Sequence, residues 1–118
     1  MRDFRNYKVW HLSLDFVEEI YRITDSFPPE ERYGLSSQMR RAAVSIVSNI
    51  AEGASRSSEI DFARFIEMSV GSTFEIETQI IVAVRLSYIE QKVADMLIDS
   101  LKNIQKILNT LLTKIRNS

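Results

Sequence analysis

SSQMRRAAVSIVSNIAEG, the segment from Ser36 to Gly53, carries the clearest structural signal in this chain. Apolar residues recur along it at steps of three and four, the spacing that places them on one side of an α-helix. Ser36 or Ser37 can cap the start of this helix, and Gly53 is expected to end it in the left-handed conformation. Its small side chains predict that another helix, in the same chain or in another subunit, approaches closely. The expected buried residues are Leu35, Met39, Ala42, Ala43, Ile46, Val47, Ile50 and Ala51.

One helix of the same period precedes this segment, and two follow it. The first is expected from Val9 to Phe27, because Pro28 and Pro29 cannot continue a helix. The last is expected from about Val93 to Ile115, where leucine and isoleucine keep a nearly heptad spacing.

The third helix is the longest and is expected from about Ser58 to Leu86, before a break around Ser87 and Tyr88. Ser58 and Asp61 have the spacing of a capping box. Gly71 weakens the helix relative to alanine, so a close backbone contact at this position is the expected reason for it. The apolar residues expected to face the interior are Phe62, Phe65, Ile66, Val70, Phe74, Ile80, Ile81 and Val84.

Short connections between four amphipathic helices predict an all-α fold in which consecutive helices are antiparallel neighbours. We therefore expect a left-handed up-down four-helix bundle that forms one domain over residues 1–118. The size of the chain is that of one ordinary domain with a single core.

Composition narrows the possible functions. A net charge of −1 gives the chain as a whole no attraction for phosphate backbones, so any nucleic-acid contact must depend on a local patch. Cysteine is absent from the sequence, which excludes disulfides, thiolate metal sites and a cysteine nucleophile. The first residues lack the features of a signal peptide, and no apolar run reaches the length of about 20 residues that spans a bilayer. We expect a cytoplasmic protein without a membrane contact.

The segment Ser36–Gly53 resembles the signature of the 23S rRNA intervening-sequence proteins, a four-helix bundle family. Three further segments support the resemblance: FRNYKVWHLSL near the start, FPPEERYGL from Phe27 to Leu35, and FARFIEMSVGSTFEIETQ from Phe62 to Gln79. The chain departs from the family pattern at Val47, Ser69 and Ser87, where relatives often have proline, alanine and glycine.

This resemblance implies a homo-oligomer, expected to be a closed pentameric ring, whose molecular activity is not settled. A related branch, the accessory proteins of diversity-generating retroelements, uses a basic ring surface to hold RNA and a reverse transcriptase. The present chain is far less basic. The partners implied are therefore other copies of the chain and, through a local basic surface, RNA, DNA or a nucleic-acid enzyme.

Five arginines are the candidate residues for such a contact, because a planar guanidinium donates two parallel hydrogen bonds to phosphate. They are Arg32, Arg40, Arg41, Arg56 and Arg64, which can form one basic patch. An equal number of carboxylates lies near them in sequence, namely Glu30, Glu31, Glu52, Glu59 and Asp61. The alternative is therefore that these arginines make ion pairs within or between subunits in a purely protein-binding module.

A polar strip follows the second helix through Ser45, Ser48, Asn49 and Glu52 and ends at Gly53. The spacing places these side chains on one face of the helix. We expect them to form hydrogen bonds to a neighbouring helix or subunit. Catalysis by one of the serines requires a nearby base, and the only histidine is far away in sequence.

Enzymatic and metal-dependent alternatives have weaker signals. Arg5, Asn6 and His11 superficially resemble the active motif of HEPN-type ribonucleases, with histidine as the general acid or base, but that motif belongs on a late helix of its bundle. A paired-metal site in a helical bundle also needs a Glu-x-x-His motif, with histidine three positions after glutamate, on each of two helices. The carboxylates Glu59, Asp61, Glu67, Glu75 and Glu77 have no such histidine, so neither a metal nor a cofactor is expected.

Base stacking is a further minor alternative for the aromatic residues Trp10, Tyr21, Tyr33 and Phe74.

Overall fold

Four α-helices account for most of residues 2–118, the part of the chain that the computed structural model describes. The helices are α1 (Lys8–Thr24), α2 (Leu35–Ala54), α3 (Glu59–Arg85) and α4 (Gln91–Arg116). Short 3-10 turns at Phe4–Asn6 and Pro29–Glu31 complete the secondary structure, and residues 2–118 contain no strand. The all-α prediction is confirmed, as are four helices in the predicted order.

Helix α1 ends three residues earlier than predicted. The Thr24 hydroxyl donates a hydrogen bond of 2.7 Å to the Ile20 carbonyl, inside the last turn of the helix. Phe27 is buried nevertheless, because the connector before Pro28 carries its ring to the Tyr88 ring, with the centroids 5.3 Å apart. The prediction that Phe27 is helical was wrong, although its burial was expected from its apolar character.

The start of α2 is capped differently from the prediction. Neither Ser36 nor Ser37 is the capping residue, since the helix already begins at Leu35. The backbone N–H of Leu35 donates instead to the Glu31 carboxylate, 3.1 Å away. The Glu31 side chain, in the preceding 3-10 turn, thus caps α2 in place of the serines.

The predicted left-handed stop at Gly53 was also wrong. Gly53 lies inside α2, which continues to Ala54, and its φ is not positive. A Cβ at this position would lie 2.9 Å from the Phe65 Cβ and 3.1 Å from the Phe62 Cδ1 atom. The glycine is therefore needed because α2 and α3 approach each other closely at this point.

Helix α3 begins as predicted: the Ser58 hydroxyl accepts a hydrogen bond from the Asp61 N–H at 3.1 Å. The close contact expected at Gly71 is not made within residues 2–118 of one protomer, because Gly71 is exposed and a Cβ there would have no heavy atom within 4 Å. Phe74 and Ile81 were expected in the interior and are exposed as well. The outer side of α3 is thus more apolar than the sequence pattern suggested.

The break between α3 and α4 is confirmed. Ser87 has a φ of +63°, the left-handed conformation that commonly follows a helix. The backbone N–H groups of Tyr88 and Ile89 both point to the Ala83 carbonyl, at 2.8 and 3.4 Å. The chain therefore reverses tightly and starts α4 at Gln91.

Consecutive helices are antiparallel, as cross-contacts at both ends demonstrate. The end of α2 at Gly53 meets the start of α3, and the end of α4 at Arg116 reaches Glu67 near the start of α3. Helix α1 packs against both α2 and α4, which closes the bundle. One cluster of buried side chains fills the interior, and its fully buried large members include Ile20, Met39, Ile46, Ile50, Ile66, Ile76, Ile80, Leu101, Ile104 and Leu108. The left-handed sense of the bundle stays a prediction.

Candidate interaction surfaces

Arg40 is held against the end of α1. Its Nε donates to the Thr24 hydroxyl at 2.8 Å, and a terminal nitrogen lies 3.3 Å from the Tyr21 carbonyl and 3.6 Å from the Asp25 carboxylate. The guanidinium also lies over the Tyr21 ring, 4.6 Å from its centroid. Nε and one terminal nitrogen of Arg40 are thus engaged, so Arg40 joins α1 and α2 within one protomer.

Arg41 and Arg32 differ from Arg40, because residues 2–118 offer neither of them an acidic partner within salt-bridge distance. Arg32 and Arg40 line one open cavity of about 500 Å³ together with Tyr33. The Tyr33 side chain is 90% exposed, more than any other large apolar or aromatic residue of the described chain. Guanidinium groups and an aromatic face therefore lie side by side at this end of the bundle.

Arg56 and Arg64 are near the opposite end of α2. Arg56 forms an ion pair with Glu52 at 2.9 Å and lies over the Phe65 ring, while Arg64 approaches Asp61 at 3.6 Å. Arg56 follows Arg40 by 16 positions, which corresponds to about 24 Å along a helix axis. The five arginines are therefore divided between the two ends, and the single continuous patch considered from the sequence does not form within one protomer.

The polar strip of α2 is partly absorbed by contacts with α3. The hydroxyls of Ser45 and Ser72 are 2.8 Å apart, and the Asn49 amide donates to the Ser45 carbonyl and hydroxyl at 2.8 and 3.0 Å. The buried Ser69 hydroxyl donates across the same interface to the Ile46 carbonyl, at 2.7 Å. The predicted hydrogen bond to a neighbouring helix is thus present at Ser45, whereas Ser48 and Glu52 face outward.

A row of exposed apolar side chains runs along the outer side of α3. We call it the α3 outer stripe; it comprises Ile60, Met68, Phe74, Ile81 and Val82. Ile60 is 76% and Phe74 60% exposed. At 3.6 residues per turn, these five positions fall on one side of the helix. The apolar residues of this stripe are visible in the sequence. A helix that is apolar on two sides, however, is easily interpreted as one that buries both sides.

The residues of the ribonuclease alternative are engaged in local contacts. The His11 Nε2 atom is 2.7 Å from the Arg5 carbonyl, to which it can only donate a hydrogen bond. The Arg5 guanidinium forms an ion pair with Asp3 at 3.1 Å. The imidazole also packs edge-on against Trp10. His11 therefore contacts the backbone carbonyl of Arg5, while the Arg5 guanidinium is paired with Asp3.

The carboxylates of α3 make separate contacts. Glu59 pairs with Arg2, Glu67 with Arg116 at 2.6 Å, and Glu77 accepts a hydrogen bond from Gln105 at 3.3 Å. Within residues 2–118 no three potential metal ligands of the histidine, aspartate or glutamate type are grouped. The same part of the chain contains no helix that is both long and apolar enough to cross a bilayer.

These features define a class: an up-and-down four-helix bundle with polar and apolar helix faces left open on its surface. The chain belongs to the 23S rRNA-intervening sequence protein family, since the family model matches residues 5–110. The family suggested by the segment Ser36–Gly53 is thereby confirmed. A comparison with curated proteins finds no match.

A solved structure supports the fold independently. The chain is similar to a protein of unknown function from the S23 ribosomal protein family of Bacteroides thetaiotaomicron VPI-5482, with a TM-score of 0.83 and 24% sequence identity. The match covers 89% of this chain and 95% of the other. At this identity the likeness establishes the shared architecture alone.

Proposed function

We propose that this protein is a non-enzymatic helical bundle that associates with further copies of itself. The observation that carries the proposal is the α3 outer stripe. Large apolar side chains such as Phe74 gain free energy when they leave water, at about 25 cal/mol per Å² of apolar surface. Several exposed large apolar side chains on one side of a helix therefore mark a candidate interface.

The pentameric ring implied by the family resemblance is one assembly that satisfies this proposal. A closed ring of five would have five times the protomer mass of 13.7 kDa. Such a ring repeats one head-to-tail contact, whereas a pair uses the same surface twice. The measured mass decides between these arrangements.

The test is a charge placed on the stripe. We expect Phe74→Glu to reduce the mass found by light scattering to that of one protomer, because burying a carboxylate at an apolar contact is costly. The control is Thr110→Glu, which places the same charge on an exposed position of α4. An assembly that survives Phe74→Glu unchanged, with helical circular dichroism intact, removes the stripe as the interface.

A second candidate function is contact with RNA, DNA or a nucleic-acid enzyme at the end of the bundle near Arg40 and Arg41. The juxtaposition of Arg32, Arg40 and the exposed Tyr33 around one cavity favours it. Bases stack on aromatic faces, and guanidinium groups bind phosphates. In this interpretation Arg41 and Arg32, which have no acidic partner within residues 2–118, are available to phosphate, while Arg40 is supported by α1.

The corresponding experiment measures retardation of a single-stranded oligonucleotide at increasing salt. Binding that depends on phosphate weakens steeply as salt increases. We expect binding to be lost in the double variant Arg40→Glu/Arg41→Glu, and to persist in Lys102→Glu/Lys106→Glu, which changes the same charge on α4. No retardation of the wild type at low salt removes this candidate and leaves self-association as the function.

A further inference from the structure

Ser36 carries an unused hydroxyl beside the cavity between the end of α1 and the start of α2. The residue is only 6% exposed, yet its hydroxyl has no hydrogen-bond partner within residues 2–118. Two other side-chain oxygens without a partner, on Ser13 and Gln79, are sealed from solvent. The Ser36 oxygen is not sealed, so it is open towards the cavity that Ser36 lines. Nearly buried polar groups are normally paired, so this hydroxyl is a candidate donor to a ligand.

The backbone at the start of α2 supplies a second donor beside this hydroxyl. The Glu31 carboxylate accepts the Leu35 N–H, but the N–H of Ser36 has no acceptor within the described part of the chain. The first N–H groups of a helix cannot be paired inside the helix, and its N-terminus carries a partial positive charge. An anion in this part of the cavity can therefore accept hydrogen bonds from both the N–H and the hydroxyl of Ser36.

Two arginines add positive charge around the same cavity. Arg40 is held in place through its Nε and Nη2 atoms, whereas its Nη1 atom has no partner within residues 2–118. Arg32 lines the cavity as well and has no acidic partner in that part of the chain. The described lining contains one acidic residue, Asp25, whose side chain is 87% exposed and 3.6 Å from Arg40. Donors and positive charge thus prevail in the lining, which favours an anionic ligand.

The size of the cavity and its aromatic wall indicate that the anion carries a planar group. The volume of about 500 Å³ lies within the range of about 300–1,000 Å³ that is usual for small-molecule sites. Tyr33 forms part of the lining, and its ring is 90% exposed and therefore free to receive a stacked partner. Nucleic-acid bases stack on such rings.

We propose that this cavity binds a phosphate monoester attached to a planar base, namely a nucleoside 5′-monophosphate that is either free or at the 5′ end of a strand. The phosphate accepts hydrogen bonds from Ser36, Arg32 and Arg40, and the base stacks on Tyr33. A monoester carries up to two negative charges and three acceptor oxygens, which suits this number of donors better than the single charge of an internal phosphodiester. The inference rests on the second candidate function for its location and names the group that is recognised there.

The experiment is calorimetric titration of the full chain with adenosine 5′-monophosphate (AMP), and with adenosine as the probe that lacks phosphate. We expect AMP to bind at millimolar concentration or below and adenosine to bind more weakly. Ser36→Ala and Arg32→Gln should each raise the dissociation constant for AMP about tenfold, because each removes a hydrogen bond to a charged group. The control is Ser37→Ala, in the same helical turn but outside the cavity lining, which should leave AMP binding unchanged. AMP binding that neither Ser36→Ala nor Arg32→Gln weakens would overturn the site.

Asp25→Asn tests the site in the opposite direction. The Asp25 carboxylate competes with a bound phosphate for the Arg40 guanidinium, so its removal should lower the dissociation constant for AMP a few-fold. Asp99→Asn changes the net charge equally at an exposed position of α4 and should have no such effect. Equal effects of the two substitutions would contradict binding beside Arg40.

A single-stranded oligonucleotide with a 5′ phosphate, compared with the same strand with a 5′ hydroxyl, distinguishes the two sources of the monoester. Retardation that requires the 5′ phosphate assigns the site to the end of a strand. AMP binding without retardation of either strand assigns it to the free nucleotide, and the second candidate function then fails alone. Equal retardation of both strands without AMP binding overturns the phosphate site and leaves that function standing. Neither binding nor retardation overturns both.

Discussion

The Tyr88 hydroxyl donates a hydrogen bond of 2.8 Å to the Glu31 carboxylate, whose other oxygen accepts the Leu35 N–H at 3.1 Å. One carboxylate thus joins the connector before α2 to the loop between α3 and α4. The hydrogen bond from the Leu35 backbone, followed by the one from Tyr88, lowers the pKa of Glu31 below its ordinary value of 4.5. The same pair raises the pKa of Tyr88 above 10.0, chiefly through its bond to Glu31.

These directions predict how stability depends on pH. Because the pKa of Glu31 is lower in the folded state, its contribution is present above pH 4.5 and is lost as the pH falls through the lowered pKa. Glu31→Gln should therefore unfold at lower urea concentration than the wild type at pH 7, and the two curves should converge at a low pH below the lowered pKa of Glu31. Glu30→Gln, at the exposed neighbouring position, is the control. Equal separation of the curves at both pH values would contradict the assignment.

A methyl group at Gly53 should destabilise the bundle. The added Cβ would lie 2.9 Å from the Phe65 Cβ, so α2 and α3 must separate slightly. Overpacking costs about 1–3 kcal/mol, offset by about 1 kcal/mol of helix propensity, and we expect a net loss of about 1 kcal/mol for Gly53→Ala.

Gly71→Ala is the matched comparison and should gain up to about 1 kcal/mol when protomers are dissociated, because nothing opposes the new methyl group. Urea unfolding at low protein concentration measures both variants. Changes of the same sign would show that the close approach at Gly53 does not limit the packing.

Ser87→Gly should stabilise the protein. Ser87 has a φ of +63°, a conformation that costs a residue with a side chain about 1 kcal/mol relative to glycine. Ser55 ends α2 at a φ of −79°, where glycine brings no such relief. Thermal unfolding should therefore shift upward for Ser87→Gly and not for Ser55→Gly. An unchanged or lower midpoint for Ser87→Gly would contradict the expected backbone strain at Ser87.

Two adjacent arginines should respond differently to the same substitution. Arg40→Gln removes a hydrogen bond to Thr24 and the contact with the Tyr21 ring, and should cost about 1–2 kcal/mol of unfolding free energy. Arg41 is exposed, so Arg41→Gln should change stability by less than about 0.5 kcal/mol. Denaturant unfolding measures both. Equal losses would mean that Arg40 does not clamp α1 to α2.

Hydrophobic period was sufficient to predict four helices and their order, because each helix must bury one side against the others. The local sequence also predicted the cap at Ser58 and the break around Ser87, since both depend on residues close together in the chain. The period could not distinguish an interior row from an outward one on α3, where Phe74 and Ile81 continue the apolar pattern onto the surface.

The roles of individual polar residues and glycines depended on contacts distant in sequence. Gly53 had the position of a helix stop, but its reason is the approach of Phe65 from the next helix. Arg40 and Arg56 were grouped into one patch by residue type, although the 16 positions between them already place them about 24 Å apart along a helix. Glu31 gave no local sign that it would cap α2, since its partner Tyr88 is 57 residues away.

The most direct test of self-association is sedimentation velocity of the wild-type chain over a dilution series. We predict a species whose mass is a multiple of 13.7 kDa and which dissociates on dilution or persists as one closed assembly. A single species of one protomer mass at every concentration would contradict the assignment of the apolar side of α3 to an interface.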